Sequence, residues 1–255
     1  MKILLANDDG ITSKGLQVLY ERLIKDRENE VYVIAPDSNR SAVSHHITMY
    51  DGYLLKEYKK NQWSITGYPV DCTCLALTGD LFDFKFDLVI SGINKGANMG
   101  TDIVYSGTCA AARQAVLNGV PGLALSVNPD VWDDEHIKNL KFEALADFAA
   151  KNLKELASLA KTEPPRLFVN VNAASLDSYK GVKYCSELCV REYGDKLHVE
   201  KGQGEMKVSF VPGGANPKLK ENVDAYVVKE GFIALSRVYA DPLAAETVDG
   251  MQFKL

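Results

Sequence analysis

Short apolar runs alternate along the chain with segments whose apolar residues recur at helical spacing. We interpret the runs as buried strands, at residues 3–6, 31–36, 86–90, 122–127 and 167–172. The spacing predicts helices between them, at residues 16–24, 69–77, 109–118 and 135–160. Strands that alternate with helices are typical of right-handed parallel crossovers. The pattern therefore predicts an α/β protein with a mostly parallel sheet flanked by helices.

Two stretches follow a different pattern. Residues 47–58 and 63–66 have the character of short strands, and we interpret them as an excursion from the sheet. After residue 180, turns rich in glycine separate further predicted strands, at residues 182–190, 196–200, 207–210 and 226–238. The final residues lack a clear terminal helix.

These patterns predict an α/β core at residues 1–180 and a β-rich C-terminal hairpin extension at residues 181–255, within one structural domain. Long exposed hairpins tend to associate unless another element covers them. We therefore expect the extension to take part in a subunit interface.

The composition is that of an ordinary globular protein, and it excludes some classes of partner. A net charge of -5 gives no support for a surface that binds a nucleic acid polymer or an anionic membrane. No apolar run approaches the roughly 20 residues that cross a bilayer, and the first residues lack the features of a signal peptide. The five cysteines lack zinc-ribbon spacing, so we interpret them as reduced thiols. We expect a cytoplasmic protein.

Two adjacent carboxylates, Asp8 and Asp9, follow the first predicted strand in the turn sequence Asn-Asp-Asp-Gly. Ligands of parallel sheets bind outside the carboxyl ends of the strands. Two neighbouring anions raise each other's pKa unless a cation lies between them. The pair could hold a hard divalent cation, or it could cap the next helix from a solvated turn. The tetrapeptide alone leaves both readings open.

Two further loops are predicted at the same edge of the sheet. One follows the second strand and contains Ser41, and the other follows the strand at residues 86–90 and contains Asn94 and Asn98. The helix after the second loop begins with Ser106, Gly107 and Thr108, where free backbone N–H groups would suit a phosphate. An ordinary helix cap explains the same residues, and the P-loop pattern is absent.

Carboxylate, hydroxyl and amide oxygens are hard ligands, which suit Mg²⁺ or Mn²⁺. A hard cation opposite an anion pocket, without a nucleotide-binding glycine fingerprint, indicates hydrolysis of a phosphate ester. The cation would polarise a phosphoryl oxygen, lower the pKa of a bound water, or do both.

Several segments, in this order, resemble the SurE (survival protein E) nucleotidase family. They read NDDG at residues 7–10, APD with RSA at 35–42, SGINKGANMG at 91–100 and YSGT at 105–108. The resemblance implies a Rossmann-like core and a divalent-metal phosphatase that acts on nucleoside monophosphates. It also implies a homodimer or homotetramer, assembled partly through exchange of C-terminal hairpins.

The resemblance also assigns residues. It implies that one Mg²⁺ or Mn²⁺ ion is held by Asp8, Asp9, Ser41 and Asn94. It further implies that the phosphate is contacted by Asn98, Ser106, Gly107 and Thr108.

Within this reading, Asp8 is the candidate catalytic carboxylate, as general base or as nucleophile. Asn98 and Ser106 would stabilise charge on the phosphoryl oxygens. Lys95 could also stabilise the charge on the phosphoryl oxygens, although a solvated lysine is the favoured interpretation. His45 or, less favoured, His46 is a candidate for the general acid.

Other readings stay open at this point. Aspartyl-phosphate phosphatases also place an Asp after the first strand, although they favour Asp-x-Asp over adjacent aspartates. A nucleotide- or metal-binding protein without turnover would carry the same ligands. A dehydrogenase is disfavoured because no G-x-G-x-x-G motif follows the first strand. The sequence does not rank the bases, 5′- against 3′-monophosphates, polyphosphate, or Mg²⁺ against Mn²⁺.

Overall fold

The computed structural model describes residues 1–129, 131, 133–202 and 204–243 of the chain. Its strands are β1 (Lys2–Ala6), β2 (Glu30–Pro36), β3 (Leu55–Lys59), β4 (Gln62–Ile65), β5 (Leu88–Lys95), β6 (Gly122–Asn128), β7 (Leu167–Ala174), β8 (Val182–Tyr184), β9 (Arg191–Tyr193), β10 (Lys196–Lys201), β11 (Met206–Val211), β12 (Ala215–Pro217) and β13 (Ile233–Tyr239). Its helices are α1 (Lys14–Leu23), α2 (Pro69–Thr78), α3 (Gly107–Leu117), α4 (Asp134–Lys138), α5 (Glu143–Lys151), α6 (Leu153–Leu159) and α7 (Asp224–Lys229). A short 3₁₀ helix spans Gly100–Val104.

The main sheet has nine strands in the order β3-β4-β2-β1-β5-β6-β7-β13-β8. The run from β4 to β7 is parallel throughout. At its two ends, β3 is antiparallel to β4, and β13 is antiparallel to β7. The mostly parallel sheet flanked by helices that the sequence predicts is therefore confirmed.

Apolar side chains cover both faces of this sheet, which is why its central strands are continuous apolar runs. In β1, Ile3 and Leu5 pack in the layer that also contains Leu16 of α1 and Leu145 of α5. The alternate residue Leu4 faces the opposite layer, which contains Ala111 of α3. Helices on both faces leave the carboxyl ends of the strands free to carry a site.

The single helix predicted at residues 135–160 is wrong, because the structure has α4, α5 and α6 there. The chain leaves the helix after α4 and buries Leu140 and Phe142. Lys14 Nζ donates to the Leu140 carbonyl at 2.8 Å, so this non-helical backbone oxygen keeps a partner. The second interruption is at Asn152, whose side chain donates to the Phe148 carbonyl at 2.8 Å and competes with helical bonding.

The strand predicted at residues 226–238 is also wrong in its first half, which forms α7. Val227 and Val228 favour a strand by propensity, but both are buried in the helix. Gly231, with φ of 82°, ends the helical turn and lets β13 begin at Ile233. Burial of the helix face has outweighed local preference here.

Three smaller expectations are corrected. Residues 63–66 do not leave the sheet, because β4 pairs in parallel with β2. The strand predicted at 182–190 is only the short β8. The segment from residue 91, predicted as a loop, begins as strand, because β5 continues to Lys95 with an irregularity between Ser91 and Asn94.

The C-terminal part contains hairpins, as predicted, and also contributes to the main sheet. β10 and β11 form an antiparallel hairpin, β9 pairs with β12, and β13 pairs with β7 and β8. The prediction of no terminal helix lies outside the described residues. The boundary at residue 180 stays a prediction. Within the described part of the chain, every helix is too short or too polar to cross a membrane.

We expect Gly15→Ala to lower the free energy of unfolding by about 1–3 kcal/mol. A Cβ at Gly15 would lie 2.0 Å from the Ile93 carbonyl oxygen and 3.1 Å from the Phe142 ring, so α1 and β5 would have to separate. Helix propensity alone predicts the opposite sign, a gain of up to about 1 kcal/mol. Urea denaturation followed by circular dichroism measures the change.

Glu21→Ala, on the exposed face of the same helix, serves as the control. We expect it to change the free energy of unfolding by less than about 0.5 kcal/mol. A Gly15→Ala variant as stable as the wild type would contradict the close approach of α1 to β5.

Candidate active site at the carboxyl edge of the sheet

The loops that follow β1, β2 and β5 meet at one edge, because β1 lies between the other two strands. The backbone N–H of Arg40, after β2, donates to the Asp8 carbonyl at 2.7 Å. The backbone N–H of Lys95, at the end of β5, donates to Asp9 Oδ2 at 2.9 Å. The loop after β2 and the end of β5 are thus both hydrogen-bonded directly to the Asp8-Asp9 turn.

Asp8 is held by the first turn of α3. Thr108 Oγ1 donates to Asp8 Oδ1 at 2.6 Å, and the Thr108 backbone N–H donates to Asp8 Oδ2 at 3.2 Å. Burial, together with the charge of Asp9, raises the pKa of Asp8 to about 6. A Cβ at Gly107 would lie 3.0 Å from Asp8 Cβ, so the helix start approaches the carboxylate closely because residue 107 is glycine.

Asp9 is buried as well, but its carboxylate is only half satisfied. Its Oδ2 accepts from Lys95, whereas Oδ1 is buried without a hydrogen-bond partner. The Lys95 ammonium lies 3.8 Å from Oδ1, and burial raises the pKa of Asp9. A buried carboxylate oxygen that lacks a hydrogen bond and lies beside a second carboxylate fits a cation on electrostatic grounds.

Asn94 and Ser41 lie in the two adjoining segments. Asn94 Nδ2 donates to the Gly96 carbonyl at 2.8 Å, so the amide oxygen is the atom that could coordinate a cation. Ser41 is exposed, and its hydroxyl donates to Asn39 Oδ1 at 2.6 Å. The Arg40 contact brings the loop to the site, but the Ser41 side chain is turned toward Asn39.

No group of three or more His, Cys, Asp or Glu side chains suited to a metal occurs in the described ranges. A cation at this edge would therefore need amide or hydroxyl oxygens besides the two aspartates. Asn94 and Ser41 are donors of that kind, and hard oxygen ligands are those that Mg²⁺ and Mn²⁺ accept. The donor set fits such an ion, with Ser41 requiring a change of side-chain orientation.

The start of α3 provides groups for an anion, although two of them are already in use. Ser106 Oγ accepts from the Cys109 N–H at 3.0 Å and can still donate its own proton. Thr108 directs both its donors to Asp8, so its predicted phosphate contact stays a prediction beside this observed role. An anion here would be held by the Ser106 hydroxyl and the Gly107 N–H.

Asn98 and the histidines occupy different surroundings. Asn98 is buried, and its side chain donates to Ser126 Oγ at 2.7 Å. His45 Nε2 lies 2.8 Å from Gln114 Oε1, and burial lowers the pKa of His45, which favours the neutral imidazole. The His46 ring packs against Tyr68 at 4.0 Å between centroids. A neutral His45 is poorly suited to donate a proton at pH 7.

Sequence reasoning missed three polar residues that surround Asn98. They are Ser126 on β6 and Asn170 and Asn172 on β7, all nearly inaccessible to solvent. The available signal was the alternation of asparagines inside an otherwise apolar run, Phe-Val-Asn-Val-Asn. Alternate residues of a strand share a face, so these amides point to one side of the sheet.

The part of the chain that contains these site residues matches a known protein family. The family model described as "Survival protein SurE" matches residues 3–194. A "5'-nucleotidase SurE" of Treponema pallidum (strain Nichols) is 44% identical over 185 residues, which cover 72% of this chain and 96% of that relative. A "5'-nucleotidase SurE" of Desulfitobacterium hafniense (strain DSM 10664 / DCB-2) is 33% identical over 251 residues, 94% of this chain and 92% of that relative.

A solved structure supports the same similarity. The crystal structure of the SurE protein from Aquifex aeolicus matches with a TM-score of 0.77 and 28% sequence identity. The match covers 95% of this chain and 94% of that chain. The two folds are thus similar over nearly the whole length of both chains.

In the metal-free protein, we expect Asp8→Asn to raise the free energy of unfolding at pH 8 by about 1–3 kcal/mol. The pKa of Asp8 rises from 3.8 to about 6 on folding, so the folded state binds this proton more tightly. The stabilisation by the protonated carboxyl is fully present below about pH 4 and is lost as the pH rises through about 6. Denaturation with a chelator at pH 4 and pH 8 measures the difference.

Asp51→Asn, at an exposed turn, is the control and should leave the free energy of unfolding unchanged at both pH values. The Asp8→Asn gain should largely vanish at pH 4, where wild-type Asp8 is protonated in the folded state and partly protonated in the unfolded state, whose pKa is 3.8. A loss of stability in Asp8→Asn at pH 8 would mean that the folded protein favours the ionised carboxylate.

Proposed function

The chain belongs to the SurE family, and on that basis we propose that it hydrolyses nucleoside 5′-monophosphates with the help of one Mg²⁺ or Mn²⁺ ion. It is a phosphoric monoester hydrolase of the 5′-nucleotidase class, as its curated relatives are named. The observation that carries the proposal is the Asp8-Asp9 pair beside the start of α3, in which the buried Asp9 Oδ1 has no hydrogen-bond partner.

The residues that would hold the cation are Asp8, Asp9, Asn94 and Ser41. When bound, a divalent cation would offset the charge of the two carboxylates and polarise a phosphoryl oxygen. Asp9 Oδ1 is the ligand atom most clearly suited to this role, because it is buried and lacks a hydrogen bond. Asn94 would contribute its amide oxygen, since its nitrogen is bonded to Gly96.

The phosphate would bind at the N-terminus of α3. Ser106 can donate its hydroxyl proton, and Gly107 contributes a backbone N–H at the positive end of the helix dipole. Asn98 would add an amide N–H beyond the one donated to Ser126. Groups fixed in this way stabilise charge on phosphoryl oxygens without having to reorganise during the reaction.

Asp8 is the residue proposed to act on the reacting phosphorus centre. It would either accept a proton from the attacking water or attack phosphorus with its own oxygen. In both routes the bond between phosphorus and the ester oxygen breaks and the nucleoside leaves; in the second, water then hydrolyses the aspartyl phosphate. The two hydrogen bonds from Thr108 fix the orientation of its carboxylate. Acid-quenched phosphoenzyme that carries label from substrate phosphate would identify the nucleophilic route, and its absence would favour the general base.

We expect phosphate release from nucleoside monophosphates to require a divalent ion, and Asp8→Asn to reduce kcat by about a hundredfold or more. The substitution keeps the shape of the side chain but removes the charge that would bind the cation and act on the nucleophile. The assay compares 5′- and 3′-monophosphates and polyphosphate, each with Mg²⁺, with Mn²⁺ and with a chelator.

Asp37→Asn is the matched control, because Asp37 lies after β2 at the same edge but is half exposed and pairs with Arg40. It should retain most of the activity. Binding of the monophosphates without any release would indicate a binding protein instead. Release that survives both the chelator and Asp8→Asn would place the reaction elsewhere on the protein.

The proposal extends to assembly into a homodimer or homotetramer through the β10–β11 hairpin. Cross-strand pairing brings Leu197 opposite Phe210 and Val199 opposite Val208, so these side chains share one face. All four are exposed, Leu197 by 69% and Phe210 by 62%. An apolar face of this kind is typical of an interaction surface, and a second copy of the hairpin is complementary to it.

We expect Phe210→Glu to shift the protein toward the monomer, because it places a charge in the apolar face of the hairpin. Lys196→Glu changes the opposite face and should leave the assembly intact. Light scattering coupled to size exclusion measures the molar mass of both variants. A wild-type monomer, or an unchanged oligomer in Phe210→Glu, would argue against assembly through this face.

A further inference from the structure

Both backbone polar groups of Asn98 are bonded by one side chain on β7. Asn98 N donates to Asn172 Oδ1 at 2.8 Å, and Asn172 Nδ2 donates to the Asn98 carbonyl at 3.1 Å. Asn98 lies outside any strand or helix, so its backbone lacks partners from regular secondary structure. The Asn172 amide supplies them and fixes both sides of residue 98.

Two further side chains complete this arrangement. Asn170 Nδ2 donates to the same Asn98 carbonyl at 2.8 Å. Ser126 Oγ accepts from Asn98 Nδ2 at 2.7 Å, which sets the orientation of the Asn98 side chain. The backbone and the side chain of residue 98 are therefore both held by the sheet beneath them.

Asn170 also touches the other part of the phosphate pocket. Its Oδ1 lies 3.7 Å from the thiol of Cys109, in the first turn of α3. The backbone N–H of Cys109 donates in turn to Ser106 Oγ. Asn170 thus contacts both Asn98 and the helix start, which come from separate segments of the chain, whereas Asn172 contacts Asn98.

Amides buried in a strand carry an energetic cost that apolar residues would avoid. Asn170 and Asn172 are each 1% exposed, and a buried amide that loses its partner costs roughly 1–3 kcal/mol. The network is satisfied only while residue 98 keeps its present position. Such a fully paired polar cluster restricts the loop to one arrangement, which a functional group needs.

We propose that Asn172, supported by Asn170, is a positioning residue that holds Asn98 in register with the α3 start for phosphate binding. This inference rests on the proposed function, which assigns Asn98 to the phosphate. Asn172 does not touch the substrate in this arrangement. Its effect passes through the backbone of residue 98.

A pH profile separates this role from a general contribution to folding. A protonated carboxylic acid has the shape of an amide and can both donate to the Asn98 carbonyl and accept from its N–H. An ionised carboxylate can only accept, and it would face the Asn98 carbonyl oxygen. Asn172→Asp should therefore resemble the wild type at low pH, whereas Asn172→Leu lacks both bonds at every pH.

The native network does not interfere with this comparison. Ser126, Asn98 and Asn170 do not titrate in the working range. Burial raises the pKa of Cys109 to about 12, so its thiol stays protonated between pH 5 and pH 9. Asp8 and Asp102, whose pKa values burial raises to about 6, titrate within this range, but both are present in the wild type and in the variant. A pH-dependent ratio of Asn172→Asp to the wild type would thus arise from the introduced carboxyl group.

The experiment measures kcat/KM for adenosine 5′-monophosphate and the dissociation constant of inorganic phosphate between pH 5 and pH 9. For Asn172→Leu, we expect kcat/KM at least tenfold below the wild type at every pH, with weaker phosphate binding. For Asn172→Asp, the ratio to the wild type should approach one at pH 5 and fall as the acid ionises. A ratio near one throughout, beside an impaired Asn172→Leu, also supports the proposal, because burial keeps the acid protonated.

Asn118→Asp is the control, since the Asn118 side chain is exposed and accepts from Gln114 on α3, away from the Asn98 network. It should match the wild type at all pH values, and circular dichroism verifies that every variant is folded. Asn172→Leu within threefold of the wild type would overturn the inference. So would an Asn172→Asp variant impaired by the same factor as Asn172→Leu at all pH values.

The experiment gives a different result if the proposed function itself is wrong. In that case the wild type would release no phosphate under any condition, while calorimetry of inorganic phosphate would still compare the variants. Phosphate binding that is equal in the wild type and Asn172→Leu would then overturn the positioning role as well. Weaker binding in Asn172→Leu would retain that role for a protein without turnover.

Discussion

The structure depends on the burial of two adjacent carboxylates at the end of a central strand. Taking Asp8 and Asp9 out of water is costly, and their like charges add to that cost. The surrounding elements offset part of it: Thr108 donates to Asp8, and Lys95 donates to Asp9. What remains is an Asp9 oxygen without a hydrogen bond, whose nearest cation is the Lys95 ammonium at 3.8 Å. The edge of the sheet therefore has an electrostatic demand for positive charge.

Several segments around this edge of the sheet lie closer to each other than most side chains would allow. Gly107 brings the first turn of α3 against Asp8, and Gly15 brings α1 against the Ile93 carbonyl on β5. Gly100 packs in the same way, since a Cβ there would lie 1.7 Å from the Cys189 carbonyl oxygen. Gly15 and Gly100 thus allow close approach of backbone to backbone, and Gly107 allows the helix start to lie against the Asp8 side chain. They keep the loops of one edge within hydrogen-bond distance of each other.

Sequence reasoning succeeded where local pattern and tertiary burial agree. Strands buried on both faces are continuous apolar runs, so β1, β2, β6 and β7 were identified nearly to their ends, whereas β5 was identified only in its first part. It failed where distant contacts decide. The long helix is interrupted where Lys14, more than a hundred residues away, bonds the Leu140 carbonyl. The helical state of Val227 and Val228 likewise reflects their burial against the sheet.

The same distinction applies to the site. Asp8 and Asp9 stand out because adjacent charges after an apolar run have few structural explanations. Asn170 and Asn172 do not stand out in the sequence, because the loop residue that they bond, Asn98, is distant along the chain. Their role is apparent only when the structure places that loop over the strand. Both amides lie within residues 3–194, the region shared with the family, whereas the β10–β11 hairpin begins at Lys196. The proposed chemistry and its supporting network therefore lie within the residues that the family model matches, whereas the exposed hairpin lies beyond them.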